Sequence, residues 1–211
     1  MTFGRGTLLA FSCAILLAAR PAAATPELTT DDEVRLAAGE TVTYPETMQR
    51  HGKRYIGGVS YTLVDATVDE LTSLLGDMAA YRQVLPHARD ARVVGQAGVD
   101  RLVEITQGNA LVQAAYTLRM RTDADGRRVR FWLDRGRPHD IEDAWGFFRV
   151  EPQPDAADGT PRVLLTYGIL VDLGPGLVRD LFEERIRASI LSVPSLVRGY
   201  ALARFRVHPR A

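Results

Sequence analysis

Between residues 91 and 172 apolar and polar side chains alternate with a period of two, interrupted by turn residues, and one long helical pattern follows. That succession limits the chain to a meander of antiparallel strands with one dry face, and a helix to cover it. The runs are ARVVG (91–95), RLVEITQ (101–107), VQAAYTLRMRT (112–122), RRVRFWLD (127–134), IEDAWGFFRVEP (141–152) and PRVLLTYGILVDLG (161–174). Gly98-Val99-Asp100, Gly108-Asn109 and Asp123-Ala124-Asp125-Gly126 make the turns between the first four.

A further strand, RYIGGVSYTLVDA (54–66), precedes these six. Thr67 or Asp69 can then cap a helix from Val68 to about Leu75, and Asp77 can cap a second, MAAYRQVL, which Pro86 stops. The segment DMAAYRQVLPHA (77–88) gathers Asp77, Tyr81, Arg82 and His87. It reads as a turn former, a core aromatic and a helix stop, not as a reactive corner. The terminal helix starts at Gly174-Pro175-Gly176 and runs to about Phe205. Val178, Phe182, Ile186, Ser189, Val193, Val197 and Tyr200 trace its apolar stripe, and Pro194 should kink it.

The expected fold is α+β: a seven-stranded curved antiparallel sheet around the long C-terminal helix, with two short helices after the first strand. A helix gripped by a bent sheet leaves a cavity on the concave side. Its expected apolar lining takes Tyr81 and Leu85 from the capping helix. The meander supplies Val103, Ile105, Tyr116, Leu118, Met120, Phe131, Leu133, Trp145, Phe147, Tyr167 and Ile169, and the last helix Phe182, Ile186, Val193 and Val197. Tyr116, Trp145 and Tyr167 pair an apolar body with a donor, which suits them to orient a ligand. Glu104 and Arg119 alternate with apolar neighbours and belong to the outer face.

Residues 1–24 carry Arg5, an apolar run from about Leu8 to Ala19 and Ala22-Ala23-Ala24, the pattern of a signal peptide cleaved near Ala24. The run is short of the roughly 20 apolar residues that a spanning helix needs. Cleavage would leave 187 residues without the single cysteine, Cys13, so no disulfide is expected after export. It would also remove Arg5 and Arg20, leaving 24 basic against 26 acidic residues, a balance with no footprint for nucleic acid. Residues 25–50 are expected to be an extension with a short helix capped by Thr30 or Asp31, and residues 51–207 the domain proper.

The stretch VDATVDELTSLLGDMAAYRQVLPHARDARVV, the strands AWGFFRVEP and RVLLTYGILVDLG and the terminal helix resemble the START-like (SRPBCC) helix-grip superfamily. That superfamily includes Bet v 1-type proteins, polyketide cyclase/dehydrase-like proteins and coenzyme Q-binding START proteins. The resemblance covers about residues 54–205. Together with the signal pattern it implies a periplasmic or secreted, non-enzymatic binder or carrier of a lipid or quinone-like molecule, with transient membrane contact. Two alternatives remain: a cyclase or dehydratase acting on a polyketide-type substrate, and a ligand-free interaction module of the envelope.

His139, Asp140, Glu142 and Asp143 could supply metal ligands, but all lie in one loop and strand start, and a solvated loop is expected. There is no Gly-x-Ser-x-Gly, Walker or Rossmann pattern, and Ser189 and Ser192 have no histidine near them in sequence. Neither a cofactor nor a metal is expected.

Overall fold

The computed structural model describes residues 25–108 and 113–206. The signal segment, half of the Gly108-Asn109 turn and His208 lie outside them. The first helix, α1 (Thr30–Ala37), is capped one residue earlier than expected. The Thr29 hydroxyl accepts from the Asp32 N–H at 3.2 Å while the Asp32 carboxylate accepts from the Thr29 N–H at 3.0 Å, a reciprocal capping box.

Residues expected to be extension then enter the sheet. Strand β1 (Thr41–Arg50) pairs antiparallel with β2 (Lys53–Val64) along its whole length, so the sheet has eight strands and not seven. Pro45 argues against a strand in the sequence, because it cannot donate to a ladder; β1 is an edge strand, where that donor is not needed. His51 (φ 51°) and Gly52 (φ 75°) form the two-residue turn, both in the left-handed region that a tight hairpin requires.

The remaining strands are β3 (Ala88–Ala97), β4 (Asp100–Gly108), β5 (Gln113–Thr122), β6 (Arg128–Leu133), β7 (Asp143–Gln153) and β8 (Arg162–Asp172). All pairs are antiparallel in the order β1-β2-β8-β7-β6-β5-β4-β3. One face carries the main core, and α1 packs with Tyr61, Val42 and Leu164 on the other.

The main core is closed by helices. Helix α2 (Val68–Gly76) is capped by Thr67 and α3 (Met78–Val84) by Asp77, whose carboxylate accepts from the Ala79 N–H at 3.0 Å. The same carboxylate meets Arg204 at 2.8 Å, tying α3 to the C-terminal helix. In place of one kinked helix there are two, α4 (Leu177–Leu191) and α5 (Val193–Arg206). Pro194 lacks the N–H that would continue the ladder, and in the first turn of a restarted helix that lack costs nothing. Arg54 holds Glu183 of α4 through two contacts at 3.0 and 2.7 Å, Arg187 joins Glu183 at 2.9 Å, and the Ser60 hydroxyl donates to the Leu191 carbonyl at 2.9 Å.

Hydrogen bonds from Thr29, then from Tyr44, hold the Asp32 carboxyl below the usual carboxylate value. A carboxylate lowered by folding contributes stability that is complete above its unfolded value and is lost as the pH falls through the folded one. Asp32→Asn should therefore lower the thermal midpoint at neutral pH, and the gap from wild type should close below about pH 4. Midpoints measured against pH test this; a gap of constant size would remove Asp32 as the source.

Candidate functional site

Strand register assembles the concave face row by row. Val103 lies beside Leu118 and Leu118 beside Leu133; Ile105 lies beside Tyr116; Met120 lies beside Phe131, and Phe131 beside Gly146. Phe148 and Tyr167 are paired across β7 and β8, their rings stacked at 4.7 Å, with Phe131 at 5.8 and 6.1 Å from the two. Tyr81, Val193 and Val197 close over these strands from α3 and α5.

Most of the expected lining residues therefore meet in one place. Tyr81, Val103, Ile105, Leu118, Met120, Phe131, Leu133, Tyr167, Val193 and Val197 are buried in the main core, and Leu85, Tyr116 and Ile169 are half-buried against it. Ile186 is half-buried on α4. Three assignments are corrected. Trp145 and Phe147 lie on the outer face: Trp145 pairs with Trp132, over which Arg121 sits, and Phe147 lies under Arg128. The residues of β7 that face inward are Ala144, Gly146, Phe148 and Val150. A Cβ on Gly146 would come 2.5 Å from the Phe131 ring, so the small residue makes room for the neighbouring aromatic. Phe182 is 41% exposed and is not part of the main core cluster.

Phe148 and Gln107 are the residues the sequence reading missed. Arg149 and Glu151 carried the signal for Phe148, since charges facing water put Phe148 and Val150 on the dry side. Gln107 has no such signal. Its amide donates to the Pro86 carbonyl at 2.8 Å and its oxygen accepts from the Tyr116 hydroxyl. The Tyr81 hydroxyl donates to the Leu75 carbonyl at 3.0 Å. Desolvation pushes Tyr81, Tyr116 and Tyr167 far above the usual phenol value, so all three stay protonated donors.

Among the described residues the expected lining side chains pack against one another, and a groove of about 400 Å³ opens beside Leu85. It is bounded by Leu85, Pro86 and His87 on one side and Ser189, Ser192 and Leu196 on the other. Leu85 belongs to both, lining the groove and packing against the core. His87 thus shares a groove with Ser189 and Ser192, which sequence distance concealed. Among the described residues no hydrogen bond joins it to either, and the Ser192 hydroxyl is given to the Ser189 carbonyl at 2.7 Å.

Among the described residues no group of three or more histidine, cysteine, aspartate or glutamate side chains could hold a metal ion. The acidic loop is structural: Asp140 accepts from the Ala115 N–H at 2.8 Å, His139 contacts the Ile141 carbonyl at 2.7 Å, and Asp143 accepts from Tyr55 and Arg135 at 2.8 and 2.6 Å. Glu104 pairs with Arg92 and Arg119 with Asp134 on the outer face, as alternation requires.

No protein-family model matches the chain, and no curated protein does. Solved structures are similar in fold. The STAR-related lipid transfer protein from Xanthomonas axonopodis is 17% identical with a TM-score of 0.57, over 76% of this chain and 93% of that one. A START superfamily protein from Mycobacterium smegmatis is 13% identical with a TM-score of 0.56, over 70% and 97%. The Zhui aromatase/cyclase from Streptomyces sp. R1128 is 15% identical with a TM-score of 0.51, over 78% and 96%. One curved antiparallel sheet, a helical pair between its second and third strands and closing C-terminal helices, shared with these structures, give the chain the START-like helix-grip fold.

Proposed function

We propose that this chain is an exported, non-enzymatic binder or carrier of a hydrophobic small molecule, a lipid or an isoprenoid quinone, taken up between the sheet and the C-terminal helices. The observation that carries this reading is the concave face itself: a continuous apolar and aromatic surface on five strands, with a groove at its rim that reaches it through Leu85. Export is supported by the first 24 residues, and an aqueous space between membranes is where an apolar molecule needs such a shield. Helix α4 would be the moving part. It presents Leu181 and Phe182 to solvent, and its C-terminal end at Ser192 lies beside the groove.

Native mass spectrometry of protein purified from the periplasm, followed by organic extraction, tests the reading. A lipid or quinone at near-stoichiometric occupancy is expected, and Leu85→Arg should reduce it at least tenfold, because a charge would be carried onto an apolar path. A signal-processed protein that neither retains nor takes up any lipid or quinone would end the proposal.

The likeness to an aromatase/cyclase favours a second reading, an enzyme that folds a polyketide-type ketone and moves its protons. His87 and Tyr116 would then be the groups to substitute. Turnover of a polyketide-type substrate, lost in His87→Ala or Tyr116→Phe, would move the assignment to this class.

A further inference from the structure

The outer face of the sheet holds polar side chains that packing leaves unsatisfied. Register sets Arg128 of β6, Arg149 of β7, Thr166 of β8 and Tyr61 of β2 side by side in one row across four strands. Among the described residues four buried side-chain nitrogen or oxygen atoms lack a hydrogen-bond partner, and three of them belong to this row: Arg128 Nε, Arg149 Nε and Thr166 Oγ1. Thr166 is 0% exposed, where an unmatched hydroxyl is costly. Like charges directly opposite on neighbouring strands repel, yet Arg128 and Arg149 form such a pair. Glu151 stands 3.0 Å from Arg149 Nε as an ion pair, without a hydrogen bond at that nitrogen. Arg128 rests over the Phe147 ring at 5.2 Å and has no carboxylate partner among the described residues.

Tyr61 and Arg149 also line a pocket of about 330 Å³ between the segment Pro26-Glu27-Leu28 and Leu164. The Tyr61 hydroxyl holds that segment in place by donating to the Pro26 carbonyl. We infer that this pocket is a second binding site, on the side of the sheet opposite the concave face, and that it takes a small organic monocarboxylate. The inference goes beyond the carrier reading and does not depend on it. Three features specify the chemistry. Arginine presents Nε and one terminal nitrogen as a planar two-donor edge that matches the two oxygens of a carboxylate, and the Nε half of that edge is unfilled in both arginines. Two guanidiniums and the single carboxylate of Glu151 leave one positive charge in the row, so a monoanion balances it, whereas a dianionic phosphate would meet Glu151 and the exposed Glu27. Pro26, Leu28 and Leu164 give the rest of the pocket an apolar wall for the body of the ligand. Thr166, between Tyr61 and Arg149, has a hydroxyl hydrogen to add.

Benzoate, benzyl alcohol and phenyl phosphate share a ring and differ in the head group, so calorimetric titration of the purified full chain with each isolates the charge. Benzoate should bind at least tenfold more tightly than either of the others, the worth of one hydrogen bond to a charged group. Arg149→Gln should erase its advantage over benzyl alcohol. Thr166→Val should weaken benzoate at least threefold while the melting temperature holds or rises, because the hydroxyl it removes has no partner in the fold. The Nε–H proton resonances of Arg128 and Arg149 should move downfield as benzoate is added to wild type, a response that a purely structural pair of arginines would not give. Benzoate that binds no more tightly than benzyl alcohol, or that leaves both Nε–H resonances unmoved, would overturn the site. Phenyl phosphate as tight as benzoate would overturn the monocarboxylate, and a Thr166→Val protein that melts early would show the hydroxyl to be partnered already.

Discussion

Phe148→Ala should destabilise the protein by about 3–5 kcal/mol, and Phe147→Ala by only about 1 kcal/mol. The two phenylalanines are adjacent in sequence, and strand alternation sends them to opposite faces. Phe148 is 2% exposed and stacks on Tyr167 and Phe131, so its loss leaves a void in the middle of the concave face. Phe147 covers Gly168 from outside, where a Cβ would come 2.5 Å from its ring, and carries Arg128 above it. Losing it removes a surface contact and a cation–π pair. Urea unfolding of both variants decides the matter. Equal losses, or the reverse order, would mean that β7 is paired in the other phase.

Gly58→Ala should cost roughly 2–4 kcal/mol. The cause is a collision as well as a backbone preference. An added Cβ would stand 2.1 Å from the Tyr44 carbonyl oxygen of β1, at a residue whose φ is +140°. Gly57 has the same relation to the other neighbour, with the Ile169 carbonyl of β8 at 2.0 Å. One glycine for each flanking strand lets both neighbours approach β2 closely, and Ser60, two residues on, anchors the helical cover. Gly39 is the control, since its φ is +83° but nothing lies within 4 Å of an added Cβ. Gly39→Ala should cost about 1 kcal/mol, the strain of a left-handed alanine alone. If Gly58→Ala proves no worse than Gly39→Ala in the same unfolding assay, the close strand approach does not exist.

The stretch DMAAYRQVLPHA shows how far local reading reached. Asp77 as cap, Tyr81 as core aromatic and Pro86 as stop follow from residue chemistry and spacing, and each holds in the fold. That His87, at φ 54°, comes to line a groove with Ser189 and Ser192 is a fact of folding across a hundred residues. No local pattern contains it.

By itself the sequence determined the strand meander, the two capped helices, a helical cover at the C-terminus, expected as one kinked helix and found as two, and the inward residues of β4, β5, β6 and β8. Each rests on a period or a cap that a residue expresses with near neighbours alone. The tertiary structure decided the rest. It admitted β1 to the sheet in spite of Pro45, because an edge strand need not donate there. It chose the phase of β7, where both alternations carry aromatics, by setting Gly146 against Phe131. It exposed Phe182. Periodicity states which residues share a face; which face is dry, and which buried hydroxyl finds a partner, depends on side chains that only the fold brings near.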